Sequence, residues 1–263
     1  MLAVRHTARK PPREGAPPRQ DPRPPRDTPP RETPLGSRAS ARPAGDPPSG
    51  VDAPREKAFL LARPEQRLLE AIARRLPAPV RPDHLTALAL AAAAAFAVAA
   101  ATGHFWAAAA LLVVHWFGDS LDGTLARVRR AERPRYGYYL DHLADAAATV
   151  LVGLGLGLSA HMHLAAGLVL VIAYLALSIN SYLETQALGR FTLGYGRLGP
   201  TEARIGLIAL LVAVALGAEV NWLGLTLIDL VALTAAAGMV VALVGRALGN
   251  LRALAAREPY AAP

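Results

Sequence analysis

The arrangement that most constrains this chain is a succession of six apolar stretches, each near the roughly 20 residues needed to cross a bilayer. They run at about Leu85 to Ala101, Phe105 to Arg127, Tyr138 to Leu158, Met162 to Gln186, Arg204 to Gly217 and Trp222 to Arg246. In lipid a backbone N–H or C=O finds no water, so a continuous apolar run of this length must satisfy its own hydrogen bonds as a helix. The expected fold class is an all-α integral membrane protein with six transmembrane helices. A hydrophobic content of 53% and a mean hydropathy of +0.28 agree with one membrane domain plus a more polar appendage.

Charge orients the bundle. The first, third and fifth connections (Thr102 to His104, Ser159 to His161, Ala218 to Asn221) contain no Lys or Arg. The second carries Arg129, Arg130, Arg133 and Arg135, the fourth carries Arg190 and Arg197, and both ends of the chain are arginine-rich. The positive-inside rule therefore puts both termini and the even-numbered connections in the cytoplasm. An alanine- and arginine-rich composition points to a bacterial cytoplasmic (inner) membrane. The net charge of +8 and pI near 10.4 come without a stacking platform or a DNA-binding motif, so membrane topology and anionic lipid account for them and no nucleic-acid partner is expected. With no cysteine there is no disulfide framework.

Residues 1–57 hold most of the prolines and hardly any large apolar side chain, and so are expected to be disordered. They have no continuous apolar core of the kind a secretory leader needs. Residues 58–81 differ: Leu68, Leu69, Ile72 and Leu76 recur at helical spacing beside Arg67, Arg74 and Arg75. This predicts an amphipathic helix lying on an anionic membrane surface. The six-helix domain is expected over residues 82–248, and a cytoplasmic tail over 249–263.

Four aspartates stand in or beside apolar helices between Asp119 and Asp145. A carboxylate at membrane depth is costly unless it meets a polar cavity, a cation or a metal, which makes it a functional-site candidate. Asp119 and Asp122 are three residues apart and Asp141 and Asp145 four, so each pair projects from one helical face. Two facing helices then offer oxygen ligands suited to a hard cation such as Mg²⁺ or Mn²⁺. Gly123 and Ala126 leave room for a bulky ligand, and Arg127 supplies a planar fork for phosphate, which together suggest a pyrophosphate. Structural ion pairing with nearby arginines is the plainer alternative, and a cation transporter the remote one. Transport carboxylates, however, lie near the bilayer midplane on broken helices, whereas these fall at helix ends. Asp229, far along the last stretch, reads as a structural hydrogen-bond partner, and His161 and His163 as an outer, solvated pair.

The pattern D-x2-D-G-x2-A-R-x9-G-x3-D-x3-D, met by Asp119, Asp122, Gly123, Ala126, Arg127, Gly137, Asp141 and Asp145, resembles the signature of the CDP-alcohol phosphotransferase family. The resemblance extends from about Pro82 to the last apolar stretch. It includes Pro82 to Thr86, Pro-Asp-His-Leu-Thr, where the family commonly has Pro-Asn-x-Leu-Thr and Asp83 departs from the asparagine. It implies six transmembrane helices, two divalent ions, a homodimer, and transfer of a phosphoalcohol from a CDP-linked lipid or headgroup donor to an acceptor alcohol with release of CMP, as in phospholipid synthesis. Carried across by position, Asp119, Asp122 and Asp141 are metal ligands and Asp145 is the base that also touches metal. Thr86, Gly123, Ala126 and Arg127 hold the donor. His142, together with Gly199, Pro200, Thr201 and Glu202, is similar to the choline and ethanolamine branch, in which a histidine and a glutamate form a base dyad. The bland readings are a packed histidine and a glutamate favouring a helix start. Two directions follow: phosphatidyl transfer from CDP-diacylglycerol to a small alcohol, or transfer of a CDP-linked headgroup to diacylglycerol. The sequence His-Leu-Ala-Asp over 142–145 matches neither the glycerophosphate-using nor the serine-using pattern.

Overall fold

The computed structural model of the chain describes residues 61–189 and 199–260. The expectations for residues 1–57 and for Arg190 and Arg197 fall outside them. The described residues form seven helices and one small hairpin: α1 Ala62–Ala73, α2 Pro82–Ala101, α3 Phe105–Val128, α4 Pro134–Gly157, α5 Leu164–Leu188, α6 Pro200–Ala215, β1 Asn221–Trp222, β2 Leu225–Thr226 and α7 Leu227–Arg257. Of these, α2, α4, α5 and α7 are long and apolar enough to cross a membrane, which makes this a multi-pass membrane protein. Helix α3 has the length, at 24 residues, but carries Asp119, Asp122 and Arg127 near its end. Helix α6 has 16 residues and is about 24 Å long, short of a ~30 Å hydrocarbon core.

Local chemistry explains the boundaries. Helices α2, α4 and α6 each begin at a proline, Pro82, Pro134 and Pro200, where a missing N–H costs nothing. Helix α5 closes at Gly189, whose φ of 68° is the left-handed cap that glycine adopts freely. Helix α1 stops ahead of Pro77 and Pro79. The last span departs from the expected Trp222 to Arg246. Trp222 pairs with Leu225 around a turn at Leu223 and Gly224, and the helix begins only after Thr226, whose hydroxyl and backbone N–H form a capping box with Asp229. With no proline between Arg246 and Pro259 it continues to Arg257, so most of the stretch expected as a tail is helix.

Helices α3 and α4 both pack on α2 at glycine contacts that leave no room for a side chain. A Cβ added at Gly118 of α3 would lie 2.6 Å from the Leu85 carbonyl oxygen, and one at Gly155 of α4 would lie 2.4 Å from Ala97 Cα. One apolar core gathers Phe96, Phe105, Leu112, Leu156, Leu211 and Ile228. A second, near the start of α2, seats Leu69 and Ala73 of α1 against Leu85, Leu121 and Leu125. At the far end of the bundle Asp229 is wholly buried and joins α7 to the α4–α5 connection. His163 N donates to its Oδ1 at 2.8 Å and His163 Nδ1 meets Oδ2 at 2.7 Å, while the Thr226 N–H and hydroxyl both donate to Oδ2.

Candidate active site

The acid motif is divided between α3, which carries Asp119, Asp122, Gly123, Ala126 and Arg127, and α4, which carries Gly137, Asp141 and Asp145. The structure brings three of the acids together: Asp119, Asp141 and Asp145 each present a carboxylate oxygen within 4.8 Å of the others. Two like charges at 4.8 Å repel by about 3 kcal/mol even at an effective dielectric near 20, so a half-buried trio of carboxylates calls for positive charge in its midst. Arg204, from the first turns of α6, supplies one such charge: its guanidinium donates to Asp119 Oδ2 at 2.7 Å. A trio with oxygen-only ligands fits a hard divalent cation.

Asp122 lines the same cavity as the other three but is not among the oxygens gathered within 4.8 Å. Its carboxylate accepts from the Thr86 hydroxyl at 2.6 Å and from the Gly123 N–H. A short hydroxyl-to-carboxylate bond of this kind ties the side chain to α2. Thr86 is therefore the residue that positions Asp122.

Around the acids lies a cavity of about 1000 Å³. Gly123, Ala126 and Arg127 line it along α3, Gly137 and Asp141 along α4, and Tyr174 and Arg204 on the side of α5 and α6. Arg127 is steadied by a bond to the Thr124 hydroxyl at 3.0 Å. At the rim, Arg129 donates to the carbonyl oxygens of Leu76, Pro77, Ala78 and Val80 and so fastens the α1–α2 connection. Arg133 pairs with Asp83 and stacks over Tyr136 at 3.9 Å, and the pairing pushes its pKa further up. The departure of Asp83 from the family's asparagine thus has a structural partner in the α3–α4 connection.

His142 and Glu202, expected as a base dyad, sit on α4 and α6, with His142 Nδ1 3.5 Å from an Asp141 carboxylate oxygen. His142 lies on α4, its Nδ1 2.8 Å from the Tyr138 carbonyl oxygen, its ring stacked on Tyr138 and set edge-on to Tyr182. Glu202 accepts from the Gly199 N–H and from the Leu61 N–H, each at 3.0 Å, closing the start of α6 and tethering the start of α1. Neither lines the cavity. The helix-start reading describes Glu202, because a glutamate at the third position of a helix is within reach of its own unpaired N–H groups.

Sequence reasoning gave no site role to Glu65, Trp116 or Tyr174, and placed Arg204 at the start of the fifth apolar stretch. Trp116 stands three residues before Asp119 and Thr201 three before Arg204, so both share a helical face with a site residue. That spacing is the signal that was available.

Residues 80–244 match the CDP-alcohol phosphatidyltransferase family. No curated protein is significantly similar to the chain. Among solved structures, the crystal structure of Mycobacterium tuberculosis phosphatidylinositol phosphate synthase with CDP-DAG bound is 22% identical, with a TM-score of 0.47, covering 73% of this chain and 92% of that one. With a match spanning well over half of the 263 residues and the acid motif inside it, the chain belongs to the CDP-alcohol phosphatidyltransferase family and is a phosphotransferase.

Proposed function

We propose that the protein transfers a phosphatidyl group from CDP-diacylglycerol to a small polar alcohol, releasing CMP. The observation that carries this is the Asp119, Asp141 and Asp145 trio opening on one cavity with Gly123, Ala126 and Arg127. Asp119, Asp141 and Asp145, with Asp122 beside them, would hold Mg²⁺ or Mn²⁺, as two ions in the family manner, which neutralise the diphosphate when bound. The small faces of Gly123 and Ala126 admit the donor's diphosphate beside α3. Arg127 binds its oxygens, and Thr86 keeps Asp122 oriented. Asp145 takes the proton from the acceptor hydroxyl as its oxygen attacks phosphorus, and the phosphorus–oxygen bond to CMP breaks. Arg204 keeps Asp119 in place.

Helices α3 and α6 are taken to cross the membrane with the other four, giving six spans. The arginine asymmetry then sets the cavity and both termini on the cytoplasmic side of a bacterial inner membrane, where a water-soluble nucleotide and a lipid tail are both within reach. Helix α1 lies on that surface. The domain limits read from the sequence and a homodimeric assembly are carried over on the same footing. Headgroup transfer to diacylglycerol is the second reading, favoured by the His142 and Glu202 pattern, and the engagement of Glu202 at two helix starts weighs against it.

The test is CMP release by the purified protein with a panel of CDP donors and alcohol acceptors. Mg²⁺- or Mn²⁺-dependent release with CDP-diacylglycerol and a small polar alcohol is expected. Release confined to CDP-choline or CDP-ethanolamine with diacylglycerol would overturn the donor assignment, and release indifferent to chelation would overturn the metal assignment.

A further inference from the structure

Helix α1 lies outside the family match, which begins at residue 80, yet it builds one wall of the cavity through Ala62, Glu65, Gln66 and Leu69. Its docking needs no charge, since Leu69 and Ala73 are buried against α2 and α3. Glu65 nonetheless points its carboxylate at the seam between α3 and α6. Trp116 Nε1 donates to Oε1 at 3.1 Å, and the Thr201 hydroxyl donates to the same carboxylate, 3.0 and 2.9 Å from its two oxygens. A carboxylate beside a cavity already lined by Asp119, Asp122, Asp141 and Asp145 adds repulsion, so its presence there asks for a compensating task.

The partners reveal the task. Trp116 and Asp119 lie on one face of α3, three residues apart, and Thr201 and Arg204 on one face of α6, again three apart. The two faces are joined twice: directly, by Arg204 on Asp119, and through α1, by Glu65 between Trp116 and Thr201. We propose that Glu65 is a positioning residue, one that fixes the first turn of α6 and thereby holds the Arg204 guanidinium on Asp119. Because Arg204 and a divalent ion draw on the same carboxylate, Glu65 sets how firmly Arg204 competes with the ion. A residue outside the family domain thus tunes the domain's cation site. This rests on the cation reading given above.

The experiment measures Mn²⁺ binding to the purified full-length protein in nanodiscs, alongside CMP release from CDP-diacylglycerol. Glu65→Ala is expected to tighten Mn²⁺ binding by about 3-fold, the size of a partly exposed charge pair, and to lower kcat by about 10-fold through misplacement of the acid cluster's arginine, with the donor KM unchanged. Thr201→Ala should give the same shifts, and the double variant no more than either alone, as for groups acting as a unit. Glu65→Gln, whose amide oxygen still accepts from Thr201 and Trp116, should return both readouts to wild-type values. A purely structural Glu65 would lower yield and melting temperature but leave Mn²⁺ affinity and kcat of the folded fraction unchanged, and that result overturns the proposal. So does a Glu65→Gln variant as impaired as Glu65→Ala. Should Glu65→Ala fail to insert, Thr201→Ala and Trp116→Phe test the same bonds from the other side. Wild-type protein that binds no Mn²⁺ would defeat the cation reading and this inference together, whereas Mn²⁺ affinity indifferent to all these variants defeats this inference alone.

Discussion

Two ends of the same bundle bury aspartate, and they do so in opposite ways. At one end Asp229 is saturated by donors: a backbone N–H and a ring nitrogen from His163, and a backbone N–H and a hydroxyl from Thr226. At the other, Asp119, Asp141 and Asp145 crowd within 4.8 Å of one another around an open cavity. The first arrangement satisfies a charge with fixed dipoles and is complete as it stands. The second sets like charges against each other and reaches a low energy only with positive charge added. An acid that joins helices gathers donors, whereas an acid that works on a ligand gathers other acids.

The comparison is sharpest where removing charge should abolish one property and spare the other. Asp141→Asn and Asp145→Asn are expected to lower the rate of CMP release on the order of 10³-fold or more while the protein still inserts and melts near the wild-type temperature, since an amide keeps the shape but loses the cation. Near-normal turnover in saturating Mg²⁺ would dissolve the distinction between the two ends.

The reverse experiment is Asp229→Asn. Replacing one acceptor oxygen by an NH₂ group leaves buried donors of His163 or Thr226 unpaired, at a cost of about 1–3 kcal/mol. The expected readout is a lower melting temperature in detergent with kcat within about 2-fold of wild type. A kcat that collapses while the melting temperature holds would make Asp229 part of the chemistry.

A smaller effect is expected from His142→Ala. Its ring packs on Tyr138 and Tyr182, so the loss should be one of packing, with turnover reduced by less than about 10-fold, whereas a base dyad with Glu202 would cost on the order of 10² or more. Steady-state rates of CMP release separate the two, and the larger figure would restore His142 to the site. Deleting residues 1–57, which precede the family match, should change least of all, leaving kcat within about 2-fold. Loss of activity in a normally inserted truncation would assign that segment a role.

The contrast between the two ends also marks what could be read from the sequence. The acids were legible because a carboxylate in an apolar helix is conspicuous and its three- or four-residue spacing fixes a shared face. Helices α2 to α6 were legible to within about four residues for the same reason of pattern, whereas α7 runs well past the expected Arg246. The tie of Asp122 to Thr86 was not legible, because it depends on a hydroxyl 36 residues away on another helix, a tertiary contact that spacing does not encode. The late start of α7 was missed since Trp222 and Leu225 are as apolar as the helix they precede. Only the capping box at Thr226 and Asp229 marks the boundary. Glu202 carries two readings at once: a motif likeness suggests chemistry, while its position three residues into a helix gives it a capping bond.

The glycine contacts on α2 bear on something further, the choice among cations. Carboxylate rows carried on α3 and α4 are held at a separation decided by backbone touching backbone at Gly118 and Gly155, where no side-chain rotamer can yield. Ions of different radius ask for different ligand distances, about 2.0–2.1 Å for Mg²⁺ against 2.3–2.6 Å for Ca²⁺, and a frame that cannot breathe penalises the one it does not fit. Under the proposed reading, ionic selectivity in this enzyme is a mechanical property of its scaffold, set by two hydrogen atoms where other residues carry a Cβ.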